Sequence, residues 1–239
     1  MIYRFGIMLF ALSVISCGKT EVPTEPIKNT ILSLGASRVE GGRPDHESFR
    51  YETWKLLLGG EWDFDLIGSE SDDSEYPMFN NQAFDREHQG WSGYTSGDIL
   101  EELEASLEGI SPPDVALFSS PGLNDALEDL PYSEIIENIN SIIDILQSKN
   151  KNITILLEQM APAHSSVMDS ALTWYIDQYH VDILTVAANK STSMSQIIAI
   201  DMHTGFNDNM LADNVHYNQS GAEFIAERYY IALKEILEE

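Results

Sequence analysis

The chain has 239 residues, 39 of them acidic and 13 basic, for a formal charge of −26. A surface of that sign repels phosphate backbones and anionic headgroups, which argues against nucleic acid as a partner. Cys17 is the single cysteine, so no intramolecular disulfide is available.

Residues 1–16 read as an export signal. Arg4 supplies a short positive region, residues 7–15 are mostly apolar, and Ser16 precedes Cys17. The apolar stretch is shorter than the roughly 20 residues that a spanning helix needs. A lone cysteine in this place, with Gly18 behind it, resembles a bacterial lipoprotein signal whose cysteine is lipidated after cleavage. The resemblance implies an extracytoplasmic protein anchored in the cell envelope through Cys17, with Gly18 pointing to the outer membrane. Membrane contact would then run through the anchor alone. Residues 17–29 hold Pro23 and Pro26 and little to bury, and are expected to form a tether. Residues 30–239 are enough for one domain with a sizeable core.

Five apolar runs, at 31–34, 64–67, 115–118, 153–157 and 197–200, are each too short for a helix and lie between turn or polar residues. They are expected to be buried parallel strands. Amphipathic stretches alternate with them at 47–58, 96–107, 133–147 and 165–179, and from residue 219 onward. In the third, Ile135, Ile136, Ile139, Ile142, Ile143 and Leu146 form one stripe, with Ser133 as the expected N-cap. In the last, Phe224, Ile225, Ala232, Leu233 and Ile236 form the expected buried side. Charged runs at 70–75 and 101–108 read as solvated faces. The alternation predicts an α/β domain whose parallel sheet is covered on both faces, with functional residues at the carboxyl ends of the strands.

Four separated segments carry the chemistry: Gly35-Ala36-Ser37, Ser92-Gly93-Tyr94-Thr95, Gly122-Leu123-Asn124-Asp125 and Asp213-Asn214-Val215-His216. Ser37 follows the first strand and Asn124 the third. Gly93 precedes the second helix and His216 the last, so one edge of the sheet would collect all four. A serine hydroxyl needs a neighbouring base, and an imidazole titrating near about 6.5 suits the task. Asp213, three residues before His216, can accept the other ring N–H and fix the tautomer. An ester carbonyl under attack places negative charge on its oxygen, and three donors could meet it: the Ser37 N–H, the Gly93 N–H and the Asn124 amide. Gly93 lacks a Cβ and allows close approach; Gly90 is the neighbouring alternative. Asp125 is expected to brace its loop. Trp91 and Tyr94 either offer a stacking surface for a sugar ring or pack within their loop. His46, His88, His164, His180 and His203 show no metal-ligand spacing with acids or cysteines, so no metal is expected. No glycine-rich phosphate loop is present, and no cofactor is expected.

In this order the segments resemble the blocks of the SGNH (GDSL-type) hydrolases. That resemblance implies a flavodoxin-like three-layer α/β/α sandwich with a five-stranded parallel sheet. Gly35-Ala36-Ser37 matches the first block, Gly93 the second, Gly122 to Asp125 the third and Asp213 to His216 the last, with Asn218 and Gly221 following as in many members. Ser37-Arg38-Val39-Glu40-Gly41, Phe49-Arg50, Asp63-Phe64-Asp65-Leu66-Ile67-Gly68-Ser69 and Glu87-His88-Gln89-Gly90-Trp91-Ser92-Gly93 are most similar to carbohydrate esterase family 3, the acetyl-xylan-esterase-like group. This implies a serine esterase that removes acyl groups, acetyl in particular, from carbohydrate through an acyl-enzyme on Ser37. Ala36 departs from the pattern, because the family carries an acid there. That acid is not the proton acceptor, so the base remains; the expected consequence is a looser or differently packed loop around Ser37. Two other functions stay open: a lipase or lysophospholipase acting on lipids, and a catalytically weakened lipoprotein that binds glycans.

Overall fold

The computed structural model describes residues 29–238. The expected signal segment, Cys17 and nearly all of the tether lie outside these residues.

All five apolar runs form strands, joined by two that are polar. In chain order they are β1 (Thr30–Gly35), β2 (Asp65–Ile67), β3 (Glu70–Ser71), β4 (Glu87–Gly90), β5 (Val115–Phe118), β6 (Thr154–Gln159) and β7 (Ile197–Asp201). β1, β5, β6 and β7 are neighbours in that order and run parallel. On its other side β1 is shared. β2 pairs with Thr30, Ile31 and Leu32, whereas β4 pairs with Leu34 and Gly35. β3 adds an antiparallel edge to β4. The expected five-stranded parallel sheet is therefore present, and two short strands extend it near the end of β1.

Successive residues of a strand point to opposite faces, so apolar runs of this kind feed two cores. Ile31, Val115, Leu117 and Leu156 pack under α2 (Phe49–Gly59) and α7 (Gln219–Leu233). Leu32, Leu34, Ala116, Phe118, Ile155 and Leu157 pack under α3 (Ser96–Ser106), α5 (Tyr132–Lys149) and α6 (Ser170–Lys190). Helix, sheet and helix make the three layers. Two short helices, α1 (Ser37–Glu40) and α4 (Leu123–Leu127), follow β1 and β5. Among the described residues no helix is long and apolar enough to cross a membrane.

Three helix expectations need correction. α5 begins at Tyr132 after Pro131, so Ser133 lies inside it and is not its N-cap. The helix expected from residue 165 starts instead at Ser170, because the Asp169 carboxylate accepts the N–H groups of Ala171 and Leu172 at 2.9 and 2.8 Å and caps the first turn there. That helix continues to Lys190. In α7 the buried side chains are Ala222, Ile225, Ala226, Tyr229 and Leu233, while Phe224 and Ala232, and Ile236 beyond its end, are only half-buried.

Ile142 has no exposed surface in the stripe that α5 presents to the sheet. Ile142→Ala should cost about 2–5 kcal/mol, the usual penalty for emptying such a site. Urea unfolding should show a lower midpoint at unchanged slope. A loss within about 0.5 kcal/mol, typical of surface positions, would mean that α5 does not pack as described.

Candidate active site

Ser37 is delivered by a tight turn at the end of β1. A Cβ on Gly35 would stand 2.7 Å from the Ser119 carbonyl oxygen and 2.8 Å from Val39 Cγ2, so the close approach requires glycine. Ser37 then opens α1, with the Val39 and Glu40 N–H groups donating to the Ala36 carbonyl at 3.0 and 3.1 Å.

His216 reaches Ser37 from 179 residues away, its Nε2 lying 2.9 Å from Ser37 Oγ. Its Nδ1 is 2.7 Å from Asp213 Oδ2, while Asp213 Oδ1 accepts the backbone N–H groups of Val215 and His216 at 2.8 and 2.7 Å. Burial disfavours the ionised Asp213, but the hydrogen bonds from the His216 ring and the two backbone amides outweigh it and hold the carboxyl at about 2. An ionised Asp213 places the ring proton on Nδ1 and leaves Nε2 free to accept from the Ser37 hydroxyl. The ring of His46 stacks on that of His216, with centroids 4.1 Å apart and planes 27° apart. Burial and the adjacent His216 ring lower the His46 pKa, so His46 is neutral at pH 7. Nothing in the spacing of His46 marks it as a neighbour of His216. Only the folded chain brings them together.

Two buried arginines grip the turn that carries Ser37. Arg38 donates from Nε to the Val215 carbonyl at 2.8 Å, from Nη1 to the Ala161 carbonyl at 2.8 Å and Ser120 Oγ at 3.1 Å, and from Nη2 to the Pro162 carbonyl at 3.2 Å. Its guanidinium lies 4.7 Å above the Tyr217 ring. Ser120 in turn donates its hydroxyl and N–H to Glu158 Oε2, and Tyr229 donates to Oε1 at 2.7 Å. Glu158 is fully buried at the end of β6, and that burial raises its pKa. From the other side Arg50 donates to the Val39 carbonyl at 2.6 Å and the Glu40 carbonyl at 2.8 Å, at the carboxyl end of α1, where a cation is favoured. Asp72 pairs with Arg50 at 2.5 Å; burial opposes its ionisation, but the Arg50 guanidinium prevails and lowers its pKa.

A small recess beside Ser37 is walled by Ala36, Tyr94, Gly122 and Asn124. Asn124, on α4, donates from Nδ2 to the Tyr94 carbonyl at 2.8 Å, which joins the second and third segments. Gly122 has a φ of 86°, and a Cβ there would meet Ile135 Cγ2 at 2.5 Å. Gly93 sits in an exposed turn after β4 at a φ of 82° and is not among the residues walling the recess. The Ser92 N–H donates to Glu40 Oε2 at 2.6 Å and anchors that turn to α1. Gly90 is a packing glycine, since a Cβ would lie 2.7 Å from the Glu40 nitrogen. Its own N–H donates to His88 Nδ1 at 3.0 Å, so the alternative oxyanion donor is already occupied. His88 is neutral, its pKa pushed down to about 3 by burial and by Arg50.

Trp91 and Tyr94 stack on each other at 5.6 Å and both are half-buried against the core, so each covers one face of the other. Tyr94 borders the recess; Trp91 does not. Asp125 accepts the Ser96 N–H at 2.8 Å and the Ser96 hydroxyl at 2.5 Å, and so ties α4 to the start of α3. Among the described residues no group of three or more histidines, cysteines or acids could hold a metal ion.

The sequence model of the GDSL-like Lipase/Acylhydrolase family matches residues 61–224. The chain belongs to this family. The matched stretch contains Gly93, Asn124, Asp213 and His216 and begins after Ser37. No curated protein matches the chain by sequence. Among solved structures, a carbohydrate esterase family 3 protein from Talaromyces cellulolyticus is similar with a TM-score of 0.73 at 22% identity, over 87% of this chain and 97% of that one. A family 3 carbohydrate esterase from Clostridium thermocellum gives 0.68 at 22% identity, over 87% and 96% of the two chains. A lipase/acylhydrolase from Enterococcus faecalis gives 0.65 at 18% identity, over 88% and 97%. At such identities the likeness is one of fold.

The Asp213 contacts set an acid limit. Its folded pKa of about 2 lies below the reference of 3.8, so the stability that ionised Asp213 adds is complete above 3.8 and is lost as pH falls through about 2. Carbon-detected NMR should find the carboxyl midpoint near that lower value. A midpoint at or above 3.8 would show that the contact with His216 is not formed in solution.

Proposed function

We propose that this chain is a serine esterase that removes acyl groups, acetyl foremost, from carbohydrate, with Ser37 as nucleophile, His216 as base and Asp213 as its orienting carboxylate. One observation carries the proposal: the 2.9 Å contact of Ser37 Oγ with His216 Nε2, backed by the 2.7 Å contact of Nδ1 with Asp213. The similarity to two carbohydrate esterase family 3 structures supports the substrate class. Under the same proposal the protein is held to the cell envelope through a lipid on Cys17.

The Ser37 hydroxyl passes its proton to His216 Nε2 as Oγ bonds to the ester carbonyl carbon, and the carbonyl electrons move to oxygen. The Asn124 amide and the Ser37 N–H meet the oxyanion. Collapse expels the sugar oxygen, which takes the proton from His216, and leaves the acyl group on Ser37. Water then attacks, giving its proton to His216, and the acid departs as Ser37 regains its hydrogen. Asp213 stabilises the imidazolium formed in each half. The neutral ring of His46 gives that cation a stacked aromatic face.

Ser37→Ala and His216→Ala should each abolish release of p-nitrophenol from the acetate ester, and near wild-type turnover in either would refute the assignment. Asn124→Ala should lower kcat by about 10²–10³-fold with a much smaller change in KM, because its donor acts on charge that develops in the transition state. A change confined to KM would reassign Asn124 to substrate binding. Across p-nitrophenyl esters the acetate should turn over fastest; a preference for octanoyl or longer chains would replace carbohydrate with lipid as the substrate.

A further inference from the structure

We propose a second binding site, for a neutral glycan chain, in the cavity between α4 and α6 that Trp174 lines. The cavity holds about 370 Å³, within the range of ligand pockets. Trp174 is 57% exposed, Leu127 44% and Leu130 39%, so three of the eight large apolar side chains exposed among the described residues line this one place. Tyr132 meets Trp174 at 66°, nearly edge to face, and leaves most of the indole open.

The polar groups of the lining choose the ligand. The Tyr132 hydroxyl already donates to Asp182 at 2.8 Å, and that of Tyr175 to the Gly122 carbonyl at 2.7 Å, so both residues offer ring surface and no free donor. Asp129 and Asp169 are the charged residues of the wall. Asp169 spends Oδ1 on the amides of Ala171 and Leu172, which leaves Oδ2 to accept from a ligand. A wall of aromatic faces and carboxylate acceptors, with no lysine or arginine, suits a molecule with C–H faces and many hydroxyl donors. A neutral pyranose has both. An acyl chain would strip water from the two carboxylates and return no hydrogen bond. Uronic or sulfated sugars would be repelled by the same acids and by the net charge of −26.

The cavity shares α4 with the Ser37 recess. Leu123 and Asn124 of α4 wall the recess, while Ala126 and Leu127 of the same five-residue helix wall the cavity. Tyr175 lines the cavity and bonds to Gly122, which lines the recess. The cavity and the recess are thus both built on α4. The role given to the site, holding an acylated chain whose ester reaches Ser37, rests on the esterase reading; the binding does not.

Xylohexaose and cellohexaose, titrated calorimetrically into the wild type, Trp174→Ala and Trp174→Phe, test the site. At least one hexaose should bind the wild type at a single site. Trp174→Ala should weaken it about tenfold, equivalent to roughly 1.4 kcal/mol, while Trp174→Phe should retain most of the affinity. Both variants should hydrolyse p-nitrophenyl acetate at the wild-type rate, because Trp174 touches none of the reacting groups. Absence of binding by the wild type, affinity unchanged in Trp174→Ala, or acetate hydrolysis lost in that variant would each overturn the proposal. So would an octanoyl-ester activity that disappears with Trp174, which would make the cavity an acyl groove. Hexaose binding by a wild type that hydrolyses no ester would sink the esterase reading and leave the glycan site standing.

Discussion

A guanidinium removed from water must be met by acceptors, and the one on Arg38 is met by three carbonyls and a hydroxyl. Ser120 lies just beyond β5, Ala161 and Pro162 just beyond β6, and Val215 in the loop after β7. One buried cation thus draws three loops at the carboxyl edge of the sheet onto the residue next to Ser37. The loop from β7 is the one that carries His216. The distance between serine and histidine is set from beneath by backbone acceptors that Arg38 cannot release without leaving a charge unpaired in the interior. Loss of a partner to such a charge is strongly destabilising.

The same constraint bears on Ala36. With alanine at position 36, the turn between β1 and α1 has no side-chain carboxylate beside Ser37. Here α1 is held at both ends by other means. Arg38 ties its start to the neighbouring loops, and Arg50 takes the carbonyls of Val39 and Glu40 at its finish. The chain has only 13 basic residues, and these two are buried on either side of a four-residue helix. In a protein so poor in cations, that placement concentrates scarce positive charge where backbone carbonyls would otherwise be left unmet, and it supplies rigidity that does not depend on residue 36.

Much of this was legible in the sequence where one residue type answers to one physical demand. The five parallel strands are mostly apolar because both of their faces are covered, and each appears where such a run stands. Ser37, Asn124, Asp213 and His216 were legible because short fixed spacings carry their chemistry. β3 and β4 were not: Glu70-Ser71 and Glu87-His88-Gln89-Gly90 are polar, and their pairing depends on partners far away. Gln89, fully buried, is satisfied by Ser69, whose N–H it accepts at 2.9 Å and whose hydroxyl it donates to at 2.8 Å. Glu158 was hidden for the same reason, as an acid that prolongs an apolar strand because Ser120 and Tyr229 await it. Arg38 stands inside a recognisable block, but nothing local assigns it a role, and His46 has no motif. Their roles exist only once β6, β7 and the loop bearing His216 are in place.

The short polar strand β4 explains why an exposed turn stands beside Ser37 at all. β2 occupies the flank of β1 only as far as Leu32, and β4 takes over at Leu34 and Gly35, the last residues before the turn to Ser37. A strand that pairs there must leave the sheet where β1 leaves it, so the segment from Trp91 to Tyr94 emerges next to α1. The Trp91 N–H donates to the Gly35 carbonyl at 3.1 Å, and Glu40 holds Ser92. The Tyr94 carbonyl, fixed in this way, accepts from Asn124 and orients its amide at the wall of the recess. Asn124 is thereby positioned by a strand that shares no sequence block with it, and the register of two residues on β1 determines where its amide stands relative to Ser37.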